Sequence, residues 1–286
     1  MSKYRILIIL LGCFFLSLLV LLVLSINHQL IFGFYNTAIK MPEFPLASQE
    51  LHYFSWDEDP QIINRILQSS ISENLRPIVT LEPWPQNRDR QFLDSINQGK
   101  YDDTINQVCT SLSALEHEII IRWGHEMDLL NSRYPWAGKE ANLFINAYQY
   151  FVEKCRTVDV NSNFIFMWSP SGDNLATEYW PGKQYVDIIG VSVYSFDLWD
   201  QKEFGHQRSF LQIFYPKYRN LAGFDRPIMI AEMGVTGTVE FQKKWLKKAF
   251  FQMKFFPKLM GAIYFNSLDN VGVWGKDLPV PDWRLK

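Results

Sequence analysis

The sequence predicts a (β/α)8 TIM barrel preceded by an N-terminal transmembrane helix. Three observations point there. Eight short apolar runs follow one another beyond residue 27. Amphipathic helical patterns separate several of them. Most runs are near-continuously apolar, as strands covered on both faces should be. Eight such units over about 250 residues match the size of this fold. An open doubly wound sheet is the alternative, but no Gly-rich phosphate loop follows the first strand.

The elements divide 1–26, a membrane anchor or signal sequence, from 27–286, the barrel. Lys3 and Arg5 precede a run, residues 6–24, without a charged side chain. That length can cross a bilayer as a helix. A cleaved signal usually has a shorter core and an A-x-A-like site, and none follows here. The flanking charges place the N-terminus in the cytoplasm and the remainder outside, periplasmic or extracellular.

The expected strands are 30–36, 51–56, 76–84, 118–124, 164–169, 185–194, 226–232 and 261–267. Asp59 and Pro60 supply an N-cap and first-turn proline for a helix striped by Ile62, Ile63, Ile66 and Leu67. Ile105, Val108, Leu112 and Leu115 recur at helical spacing. Residues 139–156 and 240–256 form two longer amphipathic patterns. Cys109 and Cys155 both fall on expected helices. A disulfide between them is one reading, and two buried free thiols are the preferred one.

Composition narrows function. A net charge of −2 argues against nucleic-acid binding. The five His show no metal-ligand spacing, and the chemistry below implies no cofactor. Aromatic residues make up 16% of the chain, enough to line a groove for flat apolar faces as well as a core.

In a TIM barrel the chemistry lies at the C-terminal strand ends. Strand four ends in Arg122, Trp123, His125 and Glu126. Strand seven ends in Glu232. Strand three ends in Glu82 and Trp84, strand five in Trp168, strand six in Tyr194, and strand eight in Asn266 with Trp274 beyond. Glutamates on strands four and seven can face each other across a barrel mouth. Retaining glycoside hydrolysis needs such a pair about 5–5.5 Å apart, one an acid with a raised pKa and one an ionised nucleophile. Arg122 and Tyr194 are the donors available to an ionised carboxylate. Glu82, beside Pro83, suits a turn, and Asp187 suits a structural role. His125 would orient the acid or a sugar hydroxyl.

At these residues the chain resembles glycoside hydrolase family 26. "IRWGHEMD" is similar to that family's acid/base motif, and "PIMIAEMG" to its nucleophile motif. "PIVTLEPW", "YWPGKQYVDIIGVSVY" and the closing "DWRL" extend the likeness from about residue 30 to 286. The resemblance implies retaining cleavage of a β-linked polysaccharide, with Glu126 as acid/base and Glu232 as nucleophile. It implies sugar contacts from His125, Arg122, Trp84, Tyr194 and Trp274; Trp168 joins them as a strand-end aromatic. Asp128, Leu129 and Leu130 depart from the family pattern near the sugar subsites. The expected function is therefore an endo-β-glycanase on mannan or mixed-linkage glucan, held at a lipid bilayer, with polysaccharide synthesis or export machinery as a partner. A non-catalytic polysaccharide-binding or assembly protein, and a transglycosylase using the same residues, are the alternatives.

Overall fold

A computed structural model describes residues 10, 12–14, 29–35, 46–85, 89, 91–130, 133–159, 161 and 163–285. The strands are β1 (Ile31–Tyr35), β2 (Gln49–Ser55), β3 (Arg76–Glu82), β4 (Ile119–Trp123), β5 (Phe164–Trp168), β6 (Ile188–Ser195), β7 (Ile228–Val235) and β8 (Leu259–Phe265). All pair in parallel and in sequence order, and β8 closes on β1. The helices are α1 (Pro60–Ser72), α2 (Phe92–Asn97), α3 (Asp102–Ser113), α4 (Ala141–Val158), α5 (Asp197–Phe204), α6 (Phe210–Leu221) and α7 (Val239–Met253). The expected barrel of eight strands is present.

The expected 1–26 anchor lies outside the described residues apart from 10 and 12–14. Among the described residues no helix is long and apolar enough to cross a membrane.

Alternation along the strands divides two cores. Leu51, Ile78, Ile120, Met167, Ile188, Met229, Ala231 and Ile263 pack together inside the barrel. Their strand neighbours, such as Ile119, Ile121 and Phe166, join the larger core beneath the helices. A residue's parity with these side chains therefore decides whether it enters the lumen.

Two features differ from expectation. β6 begins at Ile188 because Lys183–Tyr185 forms a 3-10 turn. The Asp187 carboxylate before it accepts from the Phe166 amide at 2.9 Å, a structural role. Cys109 on α3 and Cys155 on α4 are joined in a disulfide, which corrects the preference for free thiols. Both are fully buried where these helices pack.

Candidate active site

The C-terminal strand ends enclose a cavity of about 860 Å³, with Glu82, Glu126, Tyr134, Tyr194, Glu232 and Trp274 among its walls. The pieces reach it by different routes.

Arg122 follows Ile120 at a spacing of two, so it points into the lumen, where its side chain is 0% exposed. Nε donates to Ser169 Oγ at 2.9 Å, and Nη1 donates to Glu232 Oε1 at 2.5 Å. Burial works against its charge. The negative charge of Glu232 then holds its pKa above the usual guanidinium value.

Glu232 reaches the lumen through a break in β7. Val191 pairs with Ile230, and Ser192 pairs with Glu232, so Ala231 is skipped. Such a bulge reverses the alternation and re-aims the next side chain. Ala231 and Glu232 consequently both face inward. Tyr194 donates its hydroxyl to Glu232 Oε2 at 2.6 Å. Both carboxylate oxygens thus accept from a fixed donor, an arrangement suited to an anion.

Glu126 lies beyond the end of β4. Gly124 and Glu126 both adopt left-handed backbone, with φ of 57° and 55°. For a non-glycine residue this stores about 1–3 kcal/mol, a kind of strain that clusters at functional sites. The Glu126 amide donates to the Ser169 carbonyl at 2.7 Å and fixes the turn. Ser192 donates to Glu126 Oε1 at 2.7 Å. Burial, then the negative charge of Glu232, pushes the Glu126 pKa up to about 7, against the Ser192 hydrogen bond and the charges of Arg122 and Lys217. One carboxylate is braced by donors and the other is held toward its protonated form.

The remaining expected residues divide. Trp274 and Tyr194 line the cavity, with ring centroids 6.0 Å apart. His125 is buried behind the wall, its Nε2 2.9 Å from the Tyr134 hydroxyl. Burial, then the positive charges of Arg122 and Arg133, holds its pKa well below the usual imidazole value. It supports Tyr134 from behind the wall, outside the cavity. Trp84 packs edge-on against Trp136 and donates to Glu82 Oε2 at 3.0 Å. It stands behind Glu82, which itself lines the cavity. Trp168 does not reach the cavity. It is fully buried against Trp180 and Phe224 on the helix side. Its parity explains this: Met167 takes the lumen position.

The sequence reading missed Tyr35, Tyr53, Ser192, Trp199, Arg208 and Lys217, all of which line the cavity. Ser192 precedes Tyr194 by two, so strand alternation could have found it. Trp199 stands on α5, with the Arg208 guanidinium over its ring at 5.0 Å. Asp128, one of the departures noted above, accepts from the Ser171 amide at 2.6 Å and from its hydroxyl at 2.7 Å. It fixes the loop after β5.

Comparison with known proteins adds the lineage. Endoglucanase H of Acetivibrio thermocellus is 25% identical over 246 residues, 82% of this chain and 25% of that protein. Mannan endo-1,4-beta-mannosidase A and B of Caldalkalibacillus mannanilyticus is 28% identical over 156 residues, 47% of this chain and 26% of that protein. The chain thus spans about a quarter of the length of these curated relatives. Among solved structures, GH26C of a Muricauda species superposes with a TM-score of 0.64 at 17% identity, covering 86% of this chain and 80% of that one. The catalytic domain of a Bacillus GH26 endo-beta-1,4-mannanase gives 0.63 at 15% identity, covering 84% and 77%. These two likenesses establish the shared barrel. The model for glycosyl hydrolase family 26 matches residues 85–254, more than half of the sequence, and the chain belongs to that family.

Proposed function

We propose that this protein is a retaining endo-β-glycanase. Its substrate class is β-mannan or mixed-linkage β-glucan, in keeping with the endoglucanase and mannosidase names of its relatives. The observation that carries the reading is the unequal treatment of two carboxylates in one cavity. Arg122 and Tyr194 brace Glu232, while Glu126 is pushed up to about 7.

In this reading Glu232 attacks the anomeric carbon as the glycosidic bond breaks. Glu126 gives its proton to the departing oxygen. A covalent glycosyl–Glu232 ester results. Glu126, now a carboxylate, takes a proton from an incoming water, whose oxygen bonds to the anomeric carbon and releases Glu232. Arg122 and Tyr194 hold Glu232 in place for attack and receive it as the leaving group. Trp274 and Tyr194 offer aromatic faces to the apolar C–H face of a pyranose.

The reading also places the barrel outside the cytoplasmic membrane, tethered by residues 1–26. The Cys109–Cys155 disulfide supports an oxidising compartment. A polysaccharide synthesis or export assembly is the partner such a tethered enzyme would serve.

The test is reducing-end release on mannan, glucomannan, mixed-linkage glucan, carboxymethylcellulose and xylan, beside Glu126→Ala and Glu232→Ala. The proposal requires cleavage of at least one polymer by the parent and near-complete loss in both variants. A folded parent that binds these polymers but cleaves none would point to a binding protein instead.

A further inference from the structure

The outer face of α7 serves no role in the site above, yet its composition is unusual. Lys243, Lys244, Lys247, Lys248 and Lys254 are all exposed. Phe251 and Phe255 stand among them, 62% and 44% exposed, with ring centroids 5.2 Å apart. Buried Trp245, Leu246, Ala249 and Met253 account for the packing of the helix on the barrel. The outward phenylalanines are therefore not needed for the fold. A purely solvated helix face would carry the lysines without them.

Position adds a second observation. α7 runs antiparallel to the strands, so its last turn lies at the end of the barrel opposite the cavity. β1 begins at that same end. Phe32 on β1 meets Phe250 on α7 edge-on at 5.2 Å. In the sequence, five residues separate the uncharged run 6–24 from Leu30. Five residues span at most ~18 Å. A bilayer holding that run would be within reach of the α7 face.

Charge placement adds a third. Across the barrel, the turns before β3 and β4 carry Glu73 and Glu116, and Glu118 there is paired with Arg76 at 2.8 Å. The run of five exposed lysines interleaved with phenylalanines lies on α7, so this is the side that suits an anionic surface.

We propose that the lysine- and phenylalanine-bearing face of α7 is a docking surface for an anionic lipid bilayer. The lysines meet lipid phosphates, and Phe251 and Phe255 enter the headgroup boundary. Because α7 lies along the side of the barrel, the cavity mouth then opens along the membrane and not into it, within reach of a polymer chain. The proximity step rests on the tether reading above. The charge and aromatic pattern does not.

The experiment uses the full chain with vesicles of phosphatidylcholine alone and with added phosphatidylglycerol. Flotation reports association, and lysine acetylation mapped by mass spectrometry reports the contact face. The proposal predicts that Lys243, Lys247, Lys248 and Lys254 are acetylated at least fivefold more slowly on the anionic vesicles than on the neutral ones. Exposed Lys139 and Lys202, near the cavity end, keep one rate on both. A Lys247→Glu, Lys248→Glu, Lys254→Glu variant loses the protection at Lys243, and an unchanged melting curve shows it folded. Flotation with both vesicles but equal α7 rates overturns the proposal and leaves the tether reading standing. Flotation with anionic vesicles only supports the proposal and sinks the tether reading. No flotation with either overturns both.

Discussion

Arg122 on β4 and Glu232 on β7 meet inside the barrel, Nη1 to Oε1 at 2.5 Å, with the arginine fully shielded from solvent. Each is the other's charge partner in that water-poor site. The guanidinium needs an anion where water is excluded, and the nucleophile proposed here needs fixed donors to stay ionised.

Arg122→Met should therefore damage stability and activity together. Removing one partner of a buried pair costs about 3–5 kcal/mol. Denaturant melts should show that loss, and turnover should fall on the order of 100-fold even in the folded fraction.

In the proposed mechanism the Glu126 carboxyl must be protonated to give up its proton. With its pKa pushed up to about 7, kcat/KM should fall as pH rises through about 7. Removing the Ser192 hydroxyl takes away a hydrogen bond that favours the charged form. Ser192→Ala should move that alkaline limb to higher pH, as a pH–rate profile would show.

The same group affects stability. Its folded pKa lies above the unfolded value, so it favours folding most at low pH, and that contribution is lost as pH rises from about 4.5 toward 7. Glu126→Gln carries no charge to desolvate. It should be inactive yet melt higher than the parent at pH 8, by about 7–13 °C for a shift from 4.5 to about 7, while the gap closes at pH 4.

Two tryptophans separate packing from binding. Trp168→Ala should cost about 3–5 kcal/mol of stability and leave KM unchanged in the folded fraction. Trp274→Ala should raise KM up to about tenfold, the worth of one aromatic stacking contact, with little change in melting.

The disulfide gives a redox prediction. It closes a loop with a sequence separation of 46 between α3 and α4. Loop entropy assigns such a link about 4 kcal/mol. Melts with and without reductant should differ by that order, and Cys109→Ser with Cys155→Ser should abolish the difference.

The barrel was legible because parallel strands buried on both faces leave long apolar runs. The eight runs appear in order, each displaced by a few residues at most. Helices α5 and α6 were not legible for physical reasons. α5 buries only Asp200, so it has no apolar stripe. α6 contains Pro216, which reads as a breaker, although Ser209 and Gln212 form a capping box before it. Both glutamates stood out as charge at the ends of apolar strands, and both line the cavity. The β7 bulge that turns Glu232 inward has no sequence signature, since Ala231 and Glu232 obey no alternation. Trp168 misled for the opposite reason: its parity with Phe164 and Phe166 already placed it on the helix side.

The retaining mechanism is tested most directly by proton NMR of the first product released from whichever β-linked polymer is cleaved. Double displacement through Glu232 predicts that the β-anomer appears first and then mutarotates. First appearance of the α-anomer would show single displacement by water and contradict a nucleophilic Glu232.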